Sequence, residues 1–337
     1  MVPTTTVSSP APVSRSALWL AFATIYLVWG STYLAIRVAV ETLPPFLMAG
    51  ARFLTAGSLL YGWLWLTKKI RPTPRQWVDN AIVGALLLLI GNGLVSWAEQ
   101  TVPSGIATLL ISIGPLFIVL GDWLVLTVGR DATRGARPTV ATLAGIVLGV
   151  SGLVLLVAPS LGAGAAVPLD PWRVGGILFA CLAWSAGSIF TRYARRPAEP
   201  LTAAAMQMLT GGLWLVLVAG ALGEPARFDL ARASPSSLAA WGYLVVVGSL
   251  VGFTTFVWLM KHSTPARVST YAYVNPIVAV FLGWLLLDEP IGPRLLIASA
   301  IIIAGVAIIT AQKNRTQLAV TPRQAVAATE PAQKDSR

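Results

Sequence analysis

The sequence predicts an all-α integral membrane protein whose ten transmembrane helices form two inverted five-helix repeats. Hydrophobic residues make up 56% of the 337-residue chain and charged residues only 11%, and the mean hydropathy is +0.74. This composition lies far outside the range of soluble globular domains. The other two observations are a series of ten long apolar runs and a proline motif that occurs twice.

The apolar runs are roughly 18 to 24 residues long, enough to cross the ~30 Å hydrocarbon core of a bilayer. The first run has no small-residue cleavage site, so we interpret it as a span and not as a signal peptide. Residues 1–16 and 312–337 are predicted to be disordered cytoplasmic tails, 17–158 the first repeat (TM1–5) and 172–311 the second (TM6–10). The ten runs lie at about 17–37, 45–66, 78–97, 103–127, 139–158, 172–191, 200–221, 238–260, 266–287 and 292–311.

The lysines and arginines predict the orientation of these spans. With a cytoplasmic N-terminus, 18 of them fall on the cytoplasmic side and five on the outer side, and Arg52 lies inside a span. Positive residues are concentrated in cytoplasmic loops, so both termini are expected in the cytoplasm. The same distribution accounts for the net charge of +11 and leaves no case for a nucleic-acid partner.

The proline motif predicts the inverted repeat. Each half has an odd number of spans, so the second half must enter the membrane from the opposite side, and substrate sites in such proteins lie near the bilayer midplane. The motif residues Trp97, Pro115 and Trp123 recur as Trp258, Pro276 and Trp284 at a common offset of 161.

The chain lacks the residues of most enzyme and metal sites. Cys181 and His262 are the only cysteine and histidine, so disulfide frameworks, zinc-protease motifs and histidine triads are excluded. No Gly-Lys-Ser/Thr phosphate loop is present, and Asp122 has no partner for an aspartate dyad. We therefore expect no enzyme activity, no catalytic residue, no metal and no cofactor.

Five segments carry a family resemblance: WGSTYLAIR at 29–37, PPFLMAGARFLTAG at 44–57, GNGLVSWAEQTVPSGIATLL at 91–110, STYAYVNPIVAVFLGWLLLDEP at 269–290 and AIIIAGVAII at 300–309. They resemble the EamA-type transporters of the drug/metabolite transporter superfamily, close to its YedA-like branch.

The resemblance implies a secondary transporter of the bacterial cell (inner) membrane that exports small organic metabolites, such as amino acids, related compounds or drugs, by alternating access. It implies a cavity between spans 1, 3, 4, 6, 8 and 9, and span 5 or 10 as a support or a homodimer contact. The expected partners are a small-molecule substrate, the lipid bilayer and protons, with facilitated diffusion as the alternative to proton antiport. A non-transporting membrane receptor or assembly factor is the alternative function.

Polar and aromatic side chains on single helix faces are candidates for lining the cavity, and packing between helices is the alternative. Trp29 and Tyr33 in the first span correspond to Trp184 and Ser188 in the sixth, and two further pairs follow helical spacing. The candidates are Trp29, Tyr33, Asn92, Ser96, Trp184, Ser188, Tyr271 and Asn275.

Three charged residues are candidates for coupling or for structure. Arg37 is an interfacial anchor or a cavity cation. Arg52 lies deep in the second span, where it binds a substrate carboxylate or ties the helix to backbone carbonyls. Glu99 is a proton-coupling or substrate-amine site, or else a helix cap or an ion-pair partner of Arg37.

The prolines and nearby glycines predict where helices bend and pack. The hinge candidates are Gly114 and Pro115 in the fourth span and Pro276 in the ninth. Pro276 frees a backbone carbonyl that, with Asn275, can contact substrate; a kink without a ligand role is the alternative. A stripe of small residues on span five predicts close helix packing, within the chain or between two copies. It consists of Gly145, Gly149 and Gly152.

Overall fold

The computed structural model describes residues 14–128, 139–158, 168–195 and 197–327, which form helices and turns without any strand. In the first half the helices are α1 (Arg15–Ala39), α2 (Pro45–Lys68), α3 (Pro74–Gly84), α4 (Gly93–Ala98), α5 (Ser104–Ile111), α6 (Gly114–Val128) and α7 (Val140–Val157). In the second half they are α8 (Pro171–Phe190), α9 (Pro200–Ala221), α10 (Glu224–Arg227), α11 (Pro235–Tyr243), α12 (Gly252–His262), α13 (Pro265–Val268), α14 (Tyr271–Leu287) and α15 (Pro293–Ala327). A 3₁₀ turn covers Leu230–Arg232.

The helices begin at local capping sequences. Thr73 and Gln76 form a reciprocal capping box at the start of α3, which satisfies backbone N–H groups that have no partner inside the helix. Ser234 accepts a hydrogen bond from the backbone of Ser237 at the start of α11. Proline occupies the first turn of α2, α3, α8, α9 and α11, where its missing N–H costs nothing.

One π-helical segment interrupts the third helix of each half, and the sequence analysis predicted neither. Ala85–Asn92 joins α3 to α4, and Leu244–Val251 joins α11 to α12. π-helical turns are rare and often lie at functional sites. Both segments contribute residues to the cavity described below.

The apolar helices confirm an all-α membrane protein. Eight helices, or continuous series of helices, among the described residues are long and apolar enough to cross a bilayer. Of the two remaining predicted spans, α14 has only 17 residues and α2 is long but less apolar because it contains Arg52 and several small polar residues. The count of ten spans and the inverted arrangement stay predictions.

The ends of the chain differ in part from the expected tails. α1 already begins at Arg15, and α15 extends to Ala327, past the predicted end of the tenth span at residue 311. Alanine, glutamine, lysine and arginine are strong helix formers, which accounts for the helical continuation. The rest of the two predicted tails, 1–13 and 328–337, lies outside the described residues.

Glycines allow the closest helix contacts between the halves. α7 packs along α15, and a methyl group at Gly305 would lie 2.7 Å from the carbonyl oxygen of Gly145. Gly152 faces Ile302 in the same way. The small-residue face of span five therefore packs against α15 within the chain, so this face is not a free surface for a second copy.

Candidate functional site: a central cavity

A cavity of about 240 Å³ lies at the centre of the bundle. Its walls come from α1, α2, α4, α5 and α6, from the first π-helical segment, and from α8, the second π-helical segment, α12 and α14. Both halves of the chain thus contribute to one cavity. Small-molecule sites are typically concave and apolar with a few polar groups, and this cavity has that character.

Most of the sequence-predicted site residues line this cavity. Ser96, by contrast, is 1% exposed inside the protein, and the Ser188 hydroxyl donates to the Trp184 carbonyl oxygen of its own helix. Arg37 and Glu99 also lie outside the lining, next to one end of the cavity. The lining candidates are Trp29, Tyr33, Arg52, Asn92, Gly114, Pro115, Trp184, Tyr271, Asn275 and Pro276.

An aromatic cluster forms the wall between α1, α12 and α14. The Trp29 ring centroid lies 5.0 Å from that of Tyr271, 5.2 Å from that of Phe256 and 5.8 Å from that of Phe253. The contacts of Trp29 with Tyr271 and Phe253 are edge-to-face, an arrangement that aromatic pairs favour. The cluster presents aromatic surface to the cavity through Trp29, Phe253 and Tyr271.

Each of the two repeat-related tryptophans sits over a glycine of the opposite half. A methyl group at Gly252 would lie 2.5 Å from Trp29 Nε1, and one at Gly91 would lie 2.9 Å from Trp184 Cε3. A side chain larger than hydrogen at either glycine would displace the indole ring. The first helix of each half therefore packs against the other half: α1 against α12, and α8 against the first π-helical segment.

Arg52 brings a positive charge to the cavity wall and is 5% exposed. Its Nε donates to Ser249 Oγ at 3.0 Å, and Ser249 Oγ in turn donates to the Leu244 carbonyl oxygen at 3.0 Å. The guanidinium carbon lies 4.6 Å from the centre of the Phe53 ring. The structural alternative for Arg52 was a tie to backbone carbonyls; the partner observed is instead the serine of the second π-helical segment.

Asn275 lies on α14 beside Pro276 and is 6% exposed. Its side-chain oxygen Oδ1 is buried without a hydrogen-bond partner in the described part of the chain. A buried polar atom without a partner is costly. α14 continues unbroken through Pro276.

The matching proline of the first half stands in a broken helix. α5 ends at Ile111 and α6 starts at Gly114, with a turn at Ser112 and Ile113 between them. A methyl group at Gly114 would meet no atom within 4 Å. The fourth span thus has both a break and free space beside it.

Two arginines hold the turn between α4 and α5, which lies next to one end of the cavity. Arg37 Nη1 donates to the carbonyl oxygens of Glu99 at 2.8 Å and Gln100 at 2.7 Å. Arg173 donates to the Trp97 carbonyl oxygen and, at 2.9 Å, to Gln100 Oε1. The predicted ion pair between Arg37 and Glu99 is therefore replaced by bonds to the Glu99 backbone.

The Glu99 carboxyl group is buried in this turn. Glu99 follows the last residue of α4, is fully buried, and has no hydrogen-bond partner for either carboxyl oxygen among the described residues. Burial raises the pKa of Glu99 well above its usual value, and the charge of Glu289 adds to the increase while Arg37 opposes it. A neutral, protonated carboxyl is favoured in such surroundings.

Two further glutamates join the halves near the same end. Glu289 accepts hydrogen bonds from the backbone N–H of Ser104 at 2.7 Å and of Gly105 at 3.1 Å, at the start of α5. Glu224 accepts from the Leu47 N–H at 2.7 Å at the start of α2. Burial raises the pKa of Glu224, and the backbone N–H groups of Leu47 and Phe46 oppose the increase. Carboxylates are stabilised at helix N-termini.

The sequence analysis missed several residues of the site. Cavity residues on α5 and α8 carry hydroxyl or thiol groups that bond to backbone carbonyls, as the Cys181–Leu110 contact does. The i, i+4 spacing of Thr108 and Ser112 was an available signal. The missed lining residues with polar side chains are Thr32, Thr108, Ser112, Cys181 and Ser185. No group of three potential metal-ligating side chains occurs within the described ranges.

Comparison with known proteins places the chain in a family. The sequence profile of the EamA-like transporter family matches residues 15–158 and again 172–311. The chain is 35% identical over 290 residues to the uncharacterized inner membrane transporter YedA of Escherichia coli (strain K12), covering 86% of this chain and 89% of that protein.

Two other similarities extend over most of the chain. Protein PecM of Dickeya dadantii (strain 3937) is 28% identical over 286 residues, 84% of this chain and 88% of its own length. A crystal structure of a protein that is 25% identical covers 90% of this chain and 99% of its own, with a TM-score of 0.58. From the family match and the apolar helices, we conclude that the chain is a multi-pass membrane protein that belongs to the EamA-like transporter family.

Proposed function

We propose that this protein is a carrier of the bacterial inner membrane that exports small organic molecules by alternating access. The observation that carries the proposal is the central cavity, to which both halves contribute aromatic and polar side chains. Inner-membrane residence is taken from the name of the Escherichia coli relative. Cytoplasmic termini follow from the distribution of lysines and arginines.

In this orientation the end of the cavity at Glu99 faces the outside. The contacts of Arg37, Arg173 and Glu289 keep that end closed, so the protein is arranged to take substrate from the cytoplasm. Opening to the outside requires these hydrogen bonds to break together. The break between α5 and α6, beside the free space at Gly114, supplies the hinge for that movement.

Cysteine accessibility tests the two-sided cavity. In a Cys181→Ala background, Asn92→Cys places a thiol on the cavity wall, and Ser151→Cys places one on the lipid-facing side of α7, where Ser151 is exposed. A membrane-impermeant thiol reagent is applied from either side of membrane vesicles. Alternating access predicts labelling of the Asn92→Cys thiol from both sides and of the Ser151→Cys thiol from neither.

A non-transporting receptor predicts a different result. Its pocket would be reached from one side only, so one-sided labelling of Asn92→Cys under all conditions contradicts the proposal. A matching functional assay compares the sensitivity of an overexpressing strain and an empty-vector strain to amino-acid analogues and toxic compounds. Counterflow in proteoliposomes then tests the compounds to which resistance increases.

The proposal includes a proton as the coupling ion, with Glu99 as its binding residue. The support is the full burial of an unpartnered carboxyl group at the closing end of the cavity. Glu99→Gln should keep counterflow, which needs no driving force, and lose accumulation driven by an imposed pH gradient. If wild-type transport is indifferent to that gradient, facilitated diffusion replaces antiport in the proposal.

A further inference from the structure

The positive charge of Arg52 has no counter-charge in the cavity that it lines. We infer that the cavity binds small organic monocarboxylates with an apolar or aromatic body, and that the terminal amino groups of Arg52 hold the carboxylate. The inference deepens the proposed transport function, on which it rests, by naming the class of substrate. The argument follows from charge, from geometry and from the shape of the walls.

The charge requires an anion. Among the described residues that line the cavity, Arg52 is the one with a formal charge, and the lining contains no aspartate or glutamate. A charge removed from water is costly unless it is paired. An anionic substrate supplies the missing partner, whereas a cationic substrate would add a second positive charge to a mostly apolar site.

The geometry leaves the binding edge of the guanidinium open. Nε is occupied by Ser249 Oγ, and Phe53 covers the guanidinium carbon. Nη1 and Nη2 have no hydrogen-bond partner within the described ranges. Gly248 leaves room beside Nη2, because a methyl group at that position would lie only 3.3 Å from it. The two outer amino groups of an arginine match the two oxygens of a carboxylate. Arg52 is thus held in place before a ligand arrives.

One cation selects one negative charge. A phosphate ester or a dicarboxylate would carry a second charge into the cavity, where the described lining offers no second cation. The aromatic side chains of Trp29, Trp184 and Tyr271 suit an apolar or aromatic body. The unpartnered Asn275 Oδ1 can accept a hydrogen bond from a substrate amino group, which an α-amino acid possesses and a simple acid lacks.

Equilibrium binding to the purified full-length protein tests the inference. The probes share one aromatic ring and differ in charge: phenylacetate, L-phenylalanine, phenylacetamide and phenethylamine. Tryptophan fluorescence reports binding because Trp29 and Trp184 line the cavity. The wild-type protein should bind at least one carboxylate roughly 10-fold or more tightly than the amide and the amine.

Variants assign that preference to Arg52. Arg52→Gln should weaken carboxylate binding roughly 10- to 100-fold and leave amide binding unchanged. Arg52→Lys keeps the charge and should retain a weaker preference for the carboxylates over the amide. This variant tests the inference even if Arg52→Gln fails to fold. Arg227→Gln makes the same change of net charge at an exposed residue and should bind as the wild type does.

Three results would overturn the inference: a wild-type protein that binds neither carboxylate, one that binds the amide as tightly, or an Arg52→Gln variant that keeps the preference. A protein that shows two-sided labelling of Asn92→Cys yet prefers the amide retains the proposed transport function and loses only this substrate class. Tighter binding of L-phenylalanine than of phenylacetate adds the Asn275 contact to the site.

Discussion

Glu99 shows how a single buried group can respond to pH. Its carboxyl group faces Arg37 from α1 and Glu289 from the turn before α15, and neither forms a hydrogen bond with it. Because its pKa is raised in the folded state, the folded protein binds a proton more tightly than the unfolded chain does. Stability is then fully present at low pH and falls as the pH rises from the unfolded pKa through the folded one.

The Glu99→Gln variant should lose that pH dependence. In the wild type, each pH unit between the two pKa values lowers the free energy of unfolding by up to about 1.4 kcal/mol. The neutral amide has no proton to lose, so the unfolding temperature of the variant in detergent should change less than that of the wild type from acid to neutral pH. Glu41→Gln, at an exposed residue, is the control and should follow the wild-type curve. Identical curves for Glu99→Gln and wild type would contradict this account.

Asn275 and Ser188 were both predicted from helical spacing, but only Asn275 lines the cavity. Asn275→Ala removes an amide from the cavity wall and should abolish transport while membrane insertion and the unfolding temperature stay near wild type. Ser188→Ala removes a hydroxyl that bonds within its own helix and should leave transport unchanged. Efflux of a resistance-screen compound, normalised to protein in the membrane, measures both. Normal efflux by Asn275→Ala would exclude its role in binding.

Helical spacing predicted the cavity residues only in part, and the physical reason is visible at Ser188. A serine in a helix can satisfy its hydroxyl by donating to the carbonyl one turn back, as Ser188 does. It then needs no water-filled cavity. Glu289, by contrast, was overlooked because its partners Ser104 and Gly105 lie far away in the sequence, and no local pattern records such a contact.

At the scale of helices, glycine sets the spacing between α7 and α15. A methyl group at Gly305 would lie 2.7 Å from both the Gly145 carbonyl oxygen and the Gly149 nitrogen, so Gly305→Ala forces two backbones apart. We expect a loss of roughly 1–3 kcal/mol in the free energy of unfolding. The matched control is Gly175→Ala on the exposed face of α8, where a methyl group meets no atom within 4 Å.

The control should be neutral or up to about 1 kcal/mol more stable, because alanine favours the helix. Thermal unfolding in one detergent compares both variants with the wild type. Equal stability of Gly305→Ala and Gly175→Ala would show that α15 can move away from α7 without cost.

The π-helical segments mark the limit of what periodicity can show. Residues 85–90 read ALLLLI and residues 244–247 read LVVV, so apolar side chains point in every direction. When all sides of a helix are apolar, the sequence contains no hydrophobic periodicity. It then cannot distinguish an α-helix with 3.6 residues per turn from a wider π-helical turn. Eight of the ten predicted spans coincide with helices whose length and apolarity suffice to cross a bilayer, and these two properties can be read directly from a sequence. The helices α2 and α14 do not meet both criteria.

For the whole molecule, the proposed alternating access predicts that Glu289 affects the balance between the inward-open and the outward-open state. Glu289→Gln weakens the bonds that hold the start of α5 and should favour the outward-open state. We expect faster labelling of the Asn92→Cys thiol from the outside, by several-fold. Glu199→Gln, at the opposite face where Glu199 lies 3.9 Å from Lys261, should not increase the outside rate. An unchanged rate in Glu289→Gln would remove this residue from the closing contacts.

The seating of Trp29 on Gly252 and of Trp184 on Gly91 also has a consequence for biogenesis. During synthesis the N-terminal half enters the bilayer before the glycine that receives Trp29 exists. Ser249, the partner of Arg52, and Glu224, the cap of α2, are also still to be translated. The nascent first half therefore lacks these partners until the second half has been made, and we expect it to reach its final packing only then.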